Sequence, residues 1–202
     1  MARCQTFLLL NSGYKIPQLG FGTLMTKPHE VEKPLLWAIA EGYRHIDCAR
    51  AYQNEVEVGR ALWNSDHRRK DVRPACELSL RKFGLNYLDL YLIHLPVSYK
   101  LKEGKQFSTT DLSVFDFEDI PVEETWKGME ELVEAGLARS IGVSNFNKDQ
   151  IDRILASCKI PPAVNQIEVS VNWLNQKLID HCHSKGIQIT GYAPFGSPGV
   201  MK

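Results

Sequence analysis

The chain has 202 residues, 44% of them apolar and 24% charged, with a formal net charge of zero. That length predicts one domain or a tight pair, and the neutral balance offers nucleic acid and anionic membrane no electrostatic hold. Five cysteines (Cys4, Cys48, Cys76, Cys158, Cys182) are scattered without CxxC pairing, and the FLLL run after Arg3 is too short for a signal peptide or membrane span. Together these features predict a protein of the reducing cytoplasm.

Thr6 to Leu10, an NSG turn and Tyr14 to Ile16 predict a small N-terminal hairpin. Gln18 to Thr23 predicts a short strand. Val31, Leu35, Leu36 and Ile39 fall at helical spacing, although Pro34 disturbs the first turns and Gly42 ends the pattern. Tyr43 to Ile46 predicts a second strand, and Asn54 to Leu62 a short helix. Asp71 is the expected cap of the next helix, with Val72, Cys76, Leu80 and Phe83 on one face and Gly84 as its stop.

LDLYLI, Leu88 to Ile93, predicts a buried strand, and Val97 to Ile120 a long polar loop. Pro121 opens a helix with Val122, Trp126, Met129 and Val133 on its core face, stopped by Gly136. Strands are then expected at Ser140 to Val143, Ala163 to Ile167 and Ile187 to Gly191. Helices are expected at Asp149 to Cys158 and Gln176 to Lys185.

Strands alternate with helices almost throughout, which predicts a parallel sheet with βαβ crossovers, as a doubly wound sheet or a barrel. No GxGxxG opens the first unit, which argues against the doubly wound dinucleotide-binding alternative. Polar residues cluster at successive strand ends: Asp47, His94, Ser144 with Asn145, and Gln166. That is the arrangement of a (β/α)8 barrel active site. A complete barrel runs about 250 residues, roughly 30 per βα unit. Six strands are legible here, which predicts one missing between Leu62 and Asp71 and at least one after Gly191.

The segment from Gly42 to Leu62, GYRHIDCARAYQNEVEVGRAL, sets a carboxylate (Asp47) and a phenol (Tyr52) at the end of an apolar strand. A phenol with a pKa of about 10 becomes a useful proton donor when a cation lowers that value. The next buried strand should supply the cation. Instead the chain runs from Leu62 into WNSDHRRKD, a solvated loop. Taken alone, Tyr52 reads as a packing residue, Asp47 as a turn or cap residue, and His94 beside Pro96 as structural. Ser144 and Asn145 also read as caps of the following helix. His181, Cys182 and His183 invite a metal reading, but helical residues two apart face different directions, so no metal is expected.

The segments IPQLGFGT, GYRHIDCARAYQNE, LDLYLIHLP, GLARSIGVSNF, NQIEV and GYAPFGSP occur in the order of a known family and cover most of Ile16 to Pro198. In them the chain resembles the aldo-keto reductases, NADP(H)-dependent reductases of aldehydes and ketones on a (β/α)8 TIM barrel. The resemblance implies a single barrel domain over residues 1–202, incomplete, with an N-terminal β-hairpin. It implies Tyr52 as the general acid, Asp47 as the partner of a catalytic lysine, and His94 as the group that orients the substrate carbonyl. Ser144, Asn145 and Gln166 would hold the nicotinamide carboxamide, Tyr192 would stack on its ring, and Thr23 and Asp47 would line the nicotinamide-ribose end. The implied cofactor is NADPH and the implied partner a small-molecule carbonyl substrate.

Four departures follow from the same comparison. The family's lysine lies on the third strand and has no counterpart here; Lys70 sits in a charged loop and Lys82 on a helix. Leu95 replaces the tryptophan that follows the histidine, and Ala193 the serine that follows the stacking tyrosine. The last strand and its phosphate-binding loop are expected beyond Lys202. These departures predict weak or absent turnover and association with other chains through open sheet edges. The competing expectation is a catalytically inactive shortened isoform that serves as a cofactor- or protein-binding module.

Overall fold

Alternating residues around the NSG turn form an antiparallel hairpin, β1 (Phe7–Leu9) with β2 (Lys15–Pro17), pairing Phe7 with Pro17 and Leu9 with Lys15. Gly13 takes φ +84° in the turn, a conformation glycine adopts without steric cost. The computed structural model of the chain describes residues 6–24, 30–49, 67–103, 105 and 111–196. The expected helix at Asn54 to Leu62, Tyr52 and the Leu62–Trp63 junction lie outside them.

β3 (Phe21–Gly22) and β4 (Ile46–Asp47) pair in parallel across α1 (Glu32–Ala40). Pro34 fits α1 because it is the third helical residue, where the amide has no intrahelical partner to lose. Both strands are shorter than their sequence patterns suggest. Between β4 and β5 the described residues form one element, α2 (Arg69–Phe83). Asp71 does not cap α2: Arg68 holds the cap position, and Asp71 lies in the first turn, where its charge suits the helix dipole. Val72, Cys76 and Leu80 are buried as expected, but Phe83 is 37% exposed; Gly84 ends the helix at φ +64°.

The main sheet is parallel, in the order β10 (Gln188–Tyr192), β9 (Val164–Glu168), β8 (Ala138–Ser144), β5 (Leu88–Ile93). Its crossovers are α3 (Val122–Glu134), α4 (Lys148–Ser157) and α5 (Gln176–Ser184). The core lies between this sheet and its helices and includes Trp126, Met129, Leu132, Ile141, Val143 and Ile151. Trp126 Nε1 donates to the Ile160 carbonyl at 2.9 Å, and the buried Glu130 carboxylate accepts from the Lys159 and Ile160 amides at 2.6 and 2.9 Å. Helix α3 thereby fixes the loop that feeds β9.

The expected loop from Val97 to Ile120 contains a hairpin, β6 (Ser98–Leu101) with β7 (Phe115–Glu118). Tyr99 meets Phe115 edge-on at 4.8 Å, and Lys100 Nζ donates to Glu118 Oε1 at 2.6 Å. The charged face of this hairpin makes it read as a loop, while its aromatic face supplies the cross-strand contacts that order it.

Candidate active site

The chemistry-bearing side chains lie on or directly after six strands of the two parallel sheets. Thr23 follows β3, Asp47 ends β4, His94 follows β5, Ser144 ends β8, Gln166 lies on β9, and Tyr192 ends β10. Thr23 is buried, and both its amide and its hydroxyl donate to the Asp47 carbonyl, at 3.1 and 2.9 Å. Gln166 Nε2 donates to Asp47 Oδ1 at 3.0 Å. This bond joins the β3–β4 pair to the four-stranded sheet.

Ser144 and Asn145 are linked to the next strand. The Ser144 hydroxyl and the Asn145 amide donate to the Gln166 carbonyl at 2.8 and 2.9 Å. Asn145 Nδ2 donates to the His94 carbonyl at 3.0 Å and to Ser144 Oγ at 3.1 Å, and Tyr192 Oη donates to Asn145 Oδ1 at 2.8 Å. Asn145 has φ +64°, a left-handed conformation that asparagine tolerates better than most residues. Its side chain thus connects the ends of β5, β8 and β10.

Local sequence explains this turn. Phe146 is buried, and the Asn165 amide donates to its carbonyl at 3.0 Å. The cap of α4 is Asn147, not Ser144 or Asn145: Asn147 Oδ1 accepts from the Gln150 amide, and Gln150 Oε1 from the Asn147 amide, each at 3.0 Å. Ser144 and Asn145 are thereby left to face the strand ends. Sequence reasoning missed Asn147 and Asn165; the NxxQ capping pattern was the available signal for the first.

Burial pushes the His94 pKa below its ordinary value, against a smaller opposing pull from the Asp47 charge. The imidazole is therefore neutral at neutral pH, with one ring nitrogen as donor and one as acceptor. Burial, and then the charge of Glu168, push the Tyr192 phenol up, so it stays protonated and donates to Asn145. The expected site residues other than Tyr52, which lies outside the described residues, form one linked cluster. The His181–Cys182–His183 tripeptide is divided among surroundings: His181 Nε2 bonds Asp152 Oδ1 at 2.9 Å, Cys182 is buried in the core and His183 faces solvent.

Comparison with known proteins gives this geometry a context. A family model described as the Aldo/keto reductase family matches residues 60–202. The chain is 39% identical over 217 residues to aldo-keto reductase family 1 member A1 of Gallus gallus, covering 96% of this chain and 66% of that protein. It is 40% identical over 214 residues to aldo-keto reductase family 4 member C11 of Arabidopsis thaliana, with the same coverages of 96% and 66%. The chain thus spans just under two thirds of the length of these relatives. The first match runs over 217 residues, more than the 202 of this chain, so the relative carries residues inside the matched span that have no counterpart here.

Among solved structures, the fold is similar to a Bombyx mori aldo-keto reductase in complex with NADP, with TM-score 0.83 at 37% identity over 98% of this chain and 71% of that one. It is also similar to the aldose reductase of Schistosoma japonicum, with TM-score 0.82 at 42% identity over 93% of this chain and 69% of that one. The parallel strands and crossover helices are accordingly an incomplete (β/α)8 barrel. No helix among the described residues is long and apolar enough to cross a membrane. On the family match and these identities, the chain belongs to the aldo/keto reductase family.

Proposed function

We propose that the strand-end cluster is the nicotinamide end of an NADPH site, and that the chain reduces aldehydes or ketones slowly, with Tyr52 as proton donor. The supporting observation is the convergence of Ser144, Asn145, Gln166 and Tyr192 beside Asp47 and His94. A carboxamide needs both donors and acceptors, and one hydroxyl with two side-chain amides supplies them. The Tyr192 ring, 38% exposed, offers a face for stacking. NADP in a similar solved structure adds support. A bound NADPH would supply the hydride.

His94 donates from its neutral ring to the carbonyl oxygen and orients it. Tyr52 gives its proton to the same oxygen as negative charge develops there. Its acidity is the weak point: the lysine expected to lower its pKa has no counterpart, in keeping with the internal residues that the relatives carry and this chain lacks. A phenol without such a cation has an ordinary pKa of about 10 and is a poor acid at neutral pH. Free thiols on Cys76, Cys158 and Cys182 suit a cytoplasmic setting.

The test is NADPH consumption matched to alcohol formation with a reactive aromatic aldehyde. The expected result is slow turnover that Tyr52→Phe lowers further and that falls as the pH rises into the range where a phenol loses its proton. Turnover unchanged in Tyr52→Phe contradicts the proton-donor role. A second reading, NADPH binding without turnover, gains from the same missing cation and is the outcome if binding saturates with no alcohol formed.

A further inference from the structure

The Asp47 carboxylate and the Gln166 amide belong to different sheets and lie 119 positions apart in the chain, yet they bond at 3.0 Å. The neighbouring donors are also engaged. The Ser144 hydroxyl proton goes to the Gln166 carbonyl, and Asn145 Nδ2 serves the His94 carbonyl and Ser144 Oγ. Gln166 likewise gives one of its two Nε2 hydrogens to Asp47, and this acceptor is charged. An amide bond to a carboxylate is stronger than the neutral bond that would replace it. A cation beside Asp47 would compete for the carboxylate and release the amide; no lysine of this chain corresponds to that cation.

We propose that the Asp47–Gln166 bond is a latch on the nicotinamide subsite: it ties the β3–β4 pair to the main sheet and holds one of the two Nε2 hydrogens, and with it the plane of the amide, toward Asp47, so that the amide turns from Asp47 to hold a carboxamide. The inference rests on the NADPH reading given above. The latch stabilises the cofactor-free chain and weakens cofactor binding by the same contact. A residue that only supports the site would move stability and affinity in one direction. A latch moves them in opposite directions.

The test uses the whole chain, with urea unfolding in the absence of cofactor and NADPH titration by fluorescence. Asp47→Asn keeps the shape and an acceptor oxygen but removes the charge. Its unfolding midpoint falls, and NADPH binds about three- to tenfold tighter, the worth of part of one charge-assisted hydrogen bond. In a Gln166→Leu background the latch is already gone, and the midpoint loss from Asp47→Asn shrinks. Asp47→Asn combined with Gln166→Glu exchanges the two roles, and its midpoint recovers relative to Gln166→Glu alone.

NADPH binding that is looser or unchanged in Asp47→Asn overturns the latch while leaving the cofactor reading standing. So does a combined variant no more stable than Gln166→Glu alone. NADPH binding to none of the variants, wild type included, overturns the latch and the cofactor reading together.

Discussion

Two histidines carry the clearest pH signature at the level of single residues. His67 is 8% exposed, and burial lowers its pKa from 6.5 to about 4. The unfolded chain therefore accepts a proton below about pH 6.5 that the folded chain refuses. Stability from this group is complete above 6.5 and falls as the pH drops toward 4, by about 2–3 kcal/mol. Urea unfolding of wild type and His67→Gln between pH 7 and pH 4 measures this: the wild-type curve falls more steeply, and parallel curves contradict it. His94 is shifted in the same direction, and Tyr192 is held protonated. The placement of Asp47, His94, Ser144, Asn145, Gln166 and Tyr192 on or beside strands was legible in the sequence because each sits in a short motif with an apolar run before it. Their mutual bonds were not legible. A contact such as Gln166 to Asp47 depends on how two sheets approach, which no local pattern encodes.

Among the elements, β8 and β9 carry the turn and the amide on which the site depends, and Gly142 sets their spacing. A Cβ at this position would lie 2.5 Å from the Val164 carbonyl oxygen and 2.8 Å from Leu92 Cδ2. The first of these is backbone of the neighbouring strand and has no rotamer by which to yield. Gly142→Ala is expected to cost about 1–3 kcal/mol and to weaken NADPH binding, because the register pair Ser144–Gln166 lies two residues further along. An unfolding midpoint equal to wild type contradicts this.

The regular elements were the most legible. The N-terminal hairpin, α3, α4, α5 and the strands β8 to β10 fall within one or two residues of their expected bounds, because their apolar periods are long and their ends carry Gly, Pro or Asn signals. The β6–β7 hairpin escaped because its charged face dominates the composition. Helix α2 begins before Asp71 because an acidic residue serves the first turn as well as the cap.

At the scale of the molecule, the described strands form two parallel groups, β3–β4 and β10–β9–β8–β5, together with two antiparallel hairpins. The N-terminal hairpin is fastened to the main sheet by Asn11 Nδ2 donating to the Pro162 carbonyl at 2.8 Å and by Ser12 Oγ against Ser140 Oγ at 2.7 Å. At the opposite end of the strands, the Asp47–Gln166 bond connects the groups that the family places in one barrel. The incomplete barrel was legible from the count of strands against the length of a βα unit. The division into two groups was not, because closure depends on pairing between residues far apart in the chain.

On the proposed reading, the strand-end cluster holds the nicotinamide while the cation that would sharpen the Tyr52 acid has no counterpart in the chain. The most direct test adds NADPH to saturation, followed by fluorescence, and then adds a reactive aldehyde to the same sample. The expected result is saturable binding with turnover at least about a hundredfold below the 1–10³ s⁻¹ typical of enzymes, since a positioned general acid contributes on that order. Turnover in the ordinary range, or no saturable binding, would contradict it.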